Sequence, residues 1–72
     1  MQVLIFKTDI KTKKKVNAVK PVLNGHPAIY GWSVDTQDID NVLRIEASGK
    51  LKESDVINMV APCGFSCEVL PD

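Results

Sequence analysis

The apolar and polar positions of the chain fall into six segments. Val3 to Thr8 is rich in β-branched and aromatic residues and predicts a strand. Thr12 is suited to cap a helix through Lys13-Lys14-Lys15-Val16-Asn17-Ala18-Val19-Lys20, with Val16, Val19 and Leu23 spaced to share one face. Asn24-Gly25-His26-Pro27 supplies turn residues that end it, and Pro21 is expected to kink or stop its last turn. Ala28 to Asp35 alternates and predicts a strand with Tyr30, Trp32 and Val34 on one side and Ile29, Gly31 and Ser33 on the other. Asp38-Ile39-Asp40-Asn41 is turn material. Val42 to Ala47 predicts a strand with Leu43, Ile45 and Ala47 on one face. Glu53 to Ala61 predicts a helix with Val56, Met59, Val60 and Cys63 in register, and Ser66 to Leu70 a short last strand.

An internal echo supports the order βαββαβ. Val3-Leu4-Ile5-Phe6 resembles Val42-Leu43-Arg44-Ile45, and Val16-Asn17-Ala18-Val19-Lys20-Pro21 resembles Ile57-Asn58-Met59-Val60-Ala61-Pro62, at nearly equal offsets. Two interlocked βαβ halves give the ferredoxin-like α+β fold, a four-stranded antiparallel sheet with two helices on one face. The 72 residues form one domain, 1–72, because domains commonly run to about 100–150 residues. A domain this small buries only about 60 % of its unfolded surface, so a deep catalytic cavity is not expected. No Ser/His/Asp, Cys/His or paired-carboxylate spacing stands out, and the chain is not read as an enzyme.

Charge and hydropathy narrow the partners. Nine Lys+Arg balance nine Asp+Glu, so there is no general electrostatic footprint for nucleic acid. The longest apolar run, Val3-Leu4-Ile5-Phe6, is far short of the roughly 20 residues of a membrane span. Met1-Gln2 does not begin a secretory signal, and the expected location is the cytoplasm. Lys11, Lys13, Lys14 and Lys15 crowd the start of the first helix, where they read either as a solvated face or as a surface for an anion or an acidic protein partner. No aromatic residue is interleaved with them, which disfavours nucleic acid.

The two cysteines, Cys63 and Cys67, make a single C-x3-C. One pair is not a disulfide framework, and zinc would want two further ligands where the chain has only His26 as an imidazole. Free thiols packed as small apolar groups are the simplest reading. Asp35, Asp38 and Asp40 lack the glycine and the terminal glutamate of a calcium loop and read as turn formers. His26 reads as a turn residue, and Trp32, Tyr30 and Phe65 as packing residues.

These residues resemble the heavy-metal-associated domain of copper chaperones and metal-pumping ATPases. Val16, Leu23 and Gly25 stand where that family has its helix core and terminal glycine, Trp32-Ser33-Val34-Asp35 where it has its second strand, and Cys63-Gly64-Phe65-Ser66-Cys67 where it has a Gly-aromatic turn into the last strand. The resemblance places the family's paired metal cysteines in the loop between first strand and first helix, and there this chain has Asp9 and Thr12. Cu(I) is soft and selected by thiolates, whereas a carboxylate and a hydroxyl are hard ligands. No bound cofactor is therefore expected at that loop. The resemblance implies a protein-interaction or regulatory module related to metal homeostasis. The alternative is a non-standard Cu(I) or Zn(II) chaperone using Cys63 and Cys67, since the Gly-aromatic turn lies beside the metal loop in the family. Cys67 shares its alternation with Val69 and is expected to point into the core. The family also uses a basic face near this loop to dock acidic targets.

In the expected fold, Leu4, Phe6, Leu43 and Ile45 lie under the helices. Val3, Ile5, Val42 and Ile29 are left on the uncovered face beside Arg44 and Glu46. Strand one is then apolar on both sides. That pattern fits a homodimer through the open sheet face or edge, or β-branched residues chosen for strand propensity.

Overall fold

The computed structural model describes residues 1–70; positions 71 and 72 of the expected domain lie outside the described residues. The elements are β1 (Gln2–Thr8), α1 (Lys13–Asn24), β2 (Ile29–Asp35), β3 (Val42–Ala47), α2 (Glu53–Val60), a single 3-10 turn (Ala61–Cys63) and β4 (Cys67–Val69). The strands form one sheet in the order β2-β3-β1-β4, every pair antiparallel. The architecture is the expected ferredoxin-like α+β arrangement, and the two echoing strands β1 and β3 are its paired centre.

Strand alternation builds the core. Leu4 faces Ile45 and Phe6 faces Leu43 across the β1–β3 pair. These four side chains meet Val19 and Leu23 of α1 and Val56 and Val60 of α2 in one buried cluster, which places both helices on the same face. Two loop residues, Ile10 and Leu51, close its ends. Ile10 is fully buried although it stands alone between charged neighbours in sequence.

Helix α1 runs past its proline, through Pro21 to Asn24. The last turn survives because Leu23 is fully buried and holds it against the sheet, outweighing the missing N–H of Pro21. The Gly25 N–H then donates to the Pro21 carbonyl, and a Cβ at Gly25 would lie only 2.9 Å from that oxygen, so the helix needs glycine there. Pro62 falls instead in the 3-10 turn after α2, which ends at Gly64 in the left-handed region, φ 91°.

Strand β2 corrects one expectation. Ile29 faces Ala47 and Gly31 faces Glu46, so Tyr30 is an inserted residue in a β-bulge. The extra residue shifts the alternation. Ile29 packs with Trp32 and Val34 against the core, while Tyr30 turns outward, 65 % exposed. Ile29 therefore does not belong to the uncovered face, and Tyr30 does not share a side with Trp32. The open face keeps Val3, Ile5 and Val42, split by an Arg44–Glu46 ion pair at 2.7 Å. The two sheet edges are protected by this bulge in β2 and by the shortness of β4.

Candidate functional site

Three loops converge at one end of the sheet. β1 ends beside the start of β3 and the start of β4, because Phe6 faces Leu43 and Thr8 faces Cys67. The β1–α1 loop, the β2–β3 hairpin and the turn into β4 therefore meet there. Buried polar contacts join the first two. The Thr8 N–H donates to the Asp40 carbonyl at 3.0 Å, and its hydroxyl donates to the Asn41 carbonyl at 2.6 Å while accepting from the Ile10 N–H. Asn41 takes a positive φ of 45° to make this turn. Lys7 and Asp40 add an ion pair at 3.7 Å, half exposed and energetically minor.

Asp9 and Thr12 both have structural partners here. The Asp9 carboxylate accepts the Ser66 N–H at 2.8 Å, clasping the β1–α1 loop to the turn before β4. The Thr12 hydroxyl accepts the Lys15 N–H at 3.2 Å and caps α1, as its position predicts. As a donor set this pair does not suit Cu(I). Both groups are hard oxygens, both are engaged by backbone amides, and α1 has no acidic residue in its first turn to offset Lys13, Lys14 and Lys15. Lys11, Lys13, Lys14 and Lys15 are all exposed around this loop.

Cys63 and Cys67 are free and half-buried, each packed against the core cluster. The Cys63 thiol is directed at the Met59 carbonyl at 3.9 Å, a weak contact. Cys67 lies on the helix-covered side, as expected, while Val69 on the same side sits at the sheet edge and is 44 % exposed. Burial pushes the Cys67 thiol up from 9.0 to about 11, which makes its thiolate, the form that ligates metals, harder to generate. Among the described residues, no group of three or more His, Cys, Asp and Glu side chains is gathered for a metal ion. Phe65 packs half-buried against the core beside them.

The raised thiol has a consequence for stability. A folded pKa above the unfolded one contributes stability that is fully present below pH 9.0 and is lost as pH rises through about 11. Urea unfolding should show a midpoint that falls between those pH values, and the fall should be shallower in Cys67→Ala. Identical pH profiles for the two proteins would contradict the burial of this thiol.

Other singled-out residues take local roles. The Asp35 carboxylate accepts the Gln37 and Asp38 N–H groups, and the Asp38 carboxylate accepts the Asp40 N–H, so these acids are turn formers. His26 accepts the Ala28 N–H on Nδ1 at 3.1 Å in the turn before β2. The Trp32 indole N–H donates to Asn24 Oδ1 at 2.8 Å, tying β2 to the end of α1. The sequence reading missed Ile10 as a core anchor and Ser66 as the partner of Asp9. The lone isoleucine in a charged loop was the available signal for the first, and nothing local signals the second.

No protein-family model matches the chain, and no curated protein matches it. Solved structures do. A copper binding domain from HMA7, a P-type ATPase, is 19 % identical with a TM-score of 0.84, over 99 % of this chain and 96 % of that one. The yeast copper transporter domain Ccc2a, solved in apo and Cu(I) states and in a complex with Atx1 and Cu(I), is 15 % identical with a TM-score of 0.83, over 100 % of this chain and 99 % of that one. The first domain of the human copper chaperone for SOD1 is 18 % identical with a TM-score of 0.77, over 93 % of this chain and 89 % of that one. The chain has the copper-chaperone-like fold of heavy-metal-associated domains. No helix among the described residues is long and apolar enough to cross a membrane.

Proposed function

We propose that this chain is a protein-interaction or regulatory module of metal homeostasis, working in the cytoplasm on the copper-chaperone-like fold without a Cu(I) site in its β1–α1 loop. The observation that carries this reading is the commitment of both loop positions to the fold itself, Asp9 to the Ser66 amide and Thr12 to the Lys15 amide. The exposed lysines around the same loop supply the docking chemistry, a positive surface that receives the acidic groups of a protein partner. The yeast domain's complex with Atx1 and Cu(I) supports the idea that this fold pairs with a second protein. The module binds and does not catalyse.

The test is a Cu(I) and Zn(II) titration of the reduced wild-type protein against a competing chelator, read by native mass spectrometry. The expected result is no stoichiometric metal. Tight stoichiometric binding would overturn the metal-free reading. If that binding disappears in Cys63→Ser, the site is the Cys63–Cys67 pair and the chain is a non-standard metal chaperone.

A further inference from the structure

The end of the sheet that carries the lysines also carries the chain's most exposed large apolar side chain. Ile39 sits at the tip of the β2–β3 hairpin, 94 % exposed. Its loop is held in shape by hydrogen bonds within it and by the Thr8–Asp40 and Thr8–Asn41 bonds to β1. An isoleucine fixed in water contributes nothing to the core, and burying it against another surface is favourable because its apolar area leaves water.

Charge on the two sides of this end decides what that surface is. The hairpin around Ile39 carries Asp35, Asp38 and Asp40, of which Asp40 alone has an ion-pair partner among the described residues, Lys7. On the other side, the β1–α1 loop carries Asp9 and Lys11 and the first turn of α1 carries Lys13-Lys14-Lys15, with no acid in that turn to neutralise them. A purely acidic partner would meet the lysines but be repelled by the hairpin. A purely basic one would suffer the reverse. A two-fold contact needs a patch complementary to itself, and a lobe of each sign side by side is such a patch. The chain's formal net charge of zero adds no long-range repulsion between copies.

We propose that two copies of this chain associate end to end through the loop end of the sheet, the Asp-Ile-Asp hairpin of each copy seated on the lysine face of the other. This deepens the interaction reading by naming the acidic partner surface as the hairpin of a second copy. The contact is small and largely electrostatic, which makes it weak, fast and salt-sensitive.

Sedimentation equilibrium of the full chain, with reductant and a metal chelator present, tests it. A reversible dimer is expected at low salt, weakened at least about tenfold at 1 M salt, where the Debye length is only about 3 Å. Ile39→Lys puts a positive group on the hairpin tip and should abolish self-association. Lys14→Glu with Lys15→Glu should do the same from the other side. Neither change touches a buried or hydrogen-bonded side chain, so both proteins should stay folded, with Ile39→Lys melting as the wild type does and the glutamate variant no lower, since acids in the first turn of α1 suit the helix dipole. Mixed together, the two variants should form a heterodimer, since each altered face then meets its complement. A chain that stays monomeric at all concentrations would overturn the proposal. So would a dimer indifferent to salt and to both variants, which would place the contact on the open sheet face. Stoichiometric Cu(I) binding in the separate titration would instead remove the metal-free reading while leaving this charge-swap result standing.

Discussion

Asp9→Cys combined with Thr12→Cys should bind Cu(I) stoichiometrically through the β1–α1 loop, where the wild type is expected to bind none. Both positions lie on a loop anchored at one end by the β1–β4 pair and at the other by α1. Thiolates placed there would have lowered pKa values, because the helix N-terminus and Lys11, Lys13 and Lys14 stabilise negative charge. Soft donors then select the soft ion. The substitution removes the Asp9–Ser66 hydrogen bond and the Thr12 cap, together costing roughly 1–3 kcal/mol, so thermal melting must confirm that the variant is folded. Copper titration against a competing chelator reads the outcome. A folded double variant that takes up no Cu(I) would show that Asp9 and Thr12 are not the positions of the family's thiolates.

Phe6→Ala should leave the domain at the edge of unfolding. Phe6 is fully buried at the centre of the sheet, opposite Leu43 on one side and Val69 on the other. Deleting a buried phenyl ring costs roughly 3–5 kcal/mol, because the transfer energy of the ring is lost and a cavity remains. A chain of 72 residues has only about 4–10 kcal/mol of stability to lose. The exposed-side neighbour Val3 provides the control: Val3→Ala, at 42 % exposure, should change stability far less. Urea denaturation of both compares them. A loss below about 1 kcal/mol for Phe6→Ala would mean that the covered and open faces of β1 have been exchanged.

Most of the fold was legible because it is carried by local periodicity. The alternation of β3 and the helical spacing of Val16, Val19 and Leu23 each mark one buried face, and β1, apolar on both sides, is a strong strand that pairs beside β3. The departures occur where a tertiary contact overrides a local signal. Pro21 reads as a stop, yet α1 passes it because Leu23 is buried two residues later. Ala28 to Asp35 reads as plain alternation, yet the pairing with β3 inserts Tyr30 and carries Ile29 to the covered side. A bulge is a property of two strands in register, and one strand's sequence does not contain it.

The site divides along the same line. By itself the sequence determined that the β1–α1 loop holds Asp9 and Thr12 and no cysteine, that lysines crowd the start of α1, and that the two cysteines stand elsewhere. Those are statements about residue type and spacing, which need no third dimension. Only the tertiary structure decided that Asp9 is occupied with the Ser66 amide, that burial pushes the Cys67 thiol up, and that the acidic hairpin with Ile39 stands at the same end as the lysines. Each of these joins residues distant in sequence, and antiparallel pairing of β1 with both β3 and β4 is what brings them together.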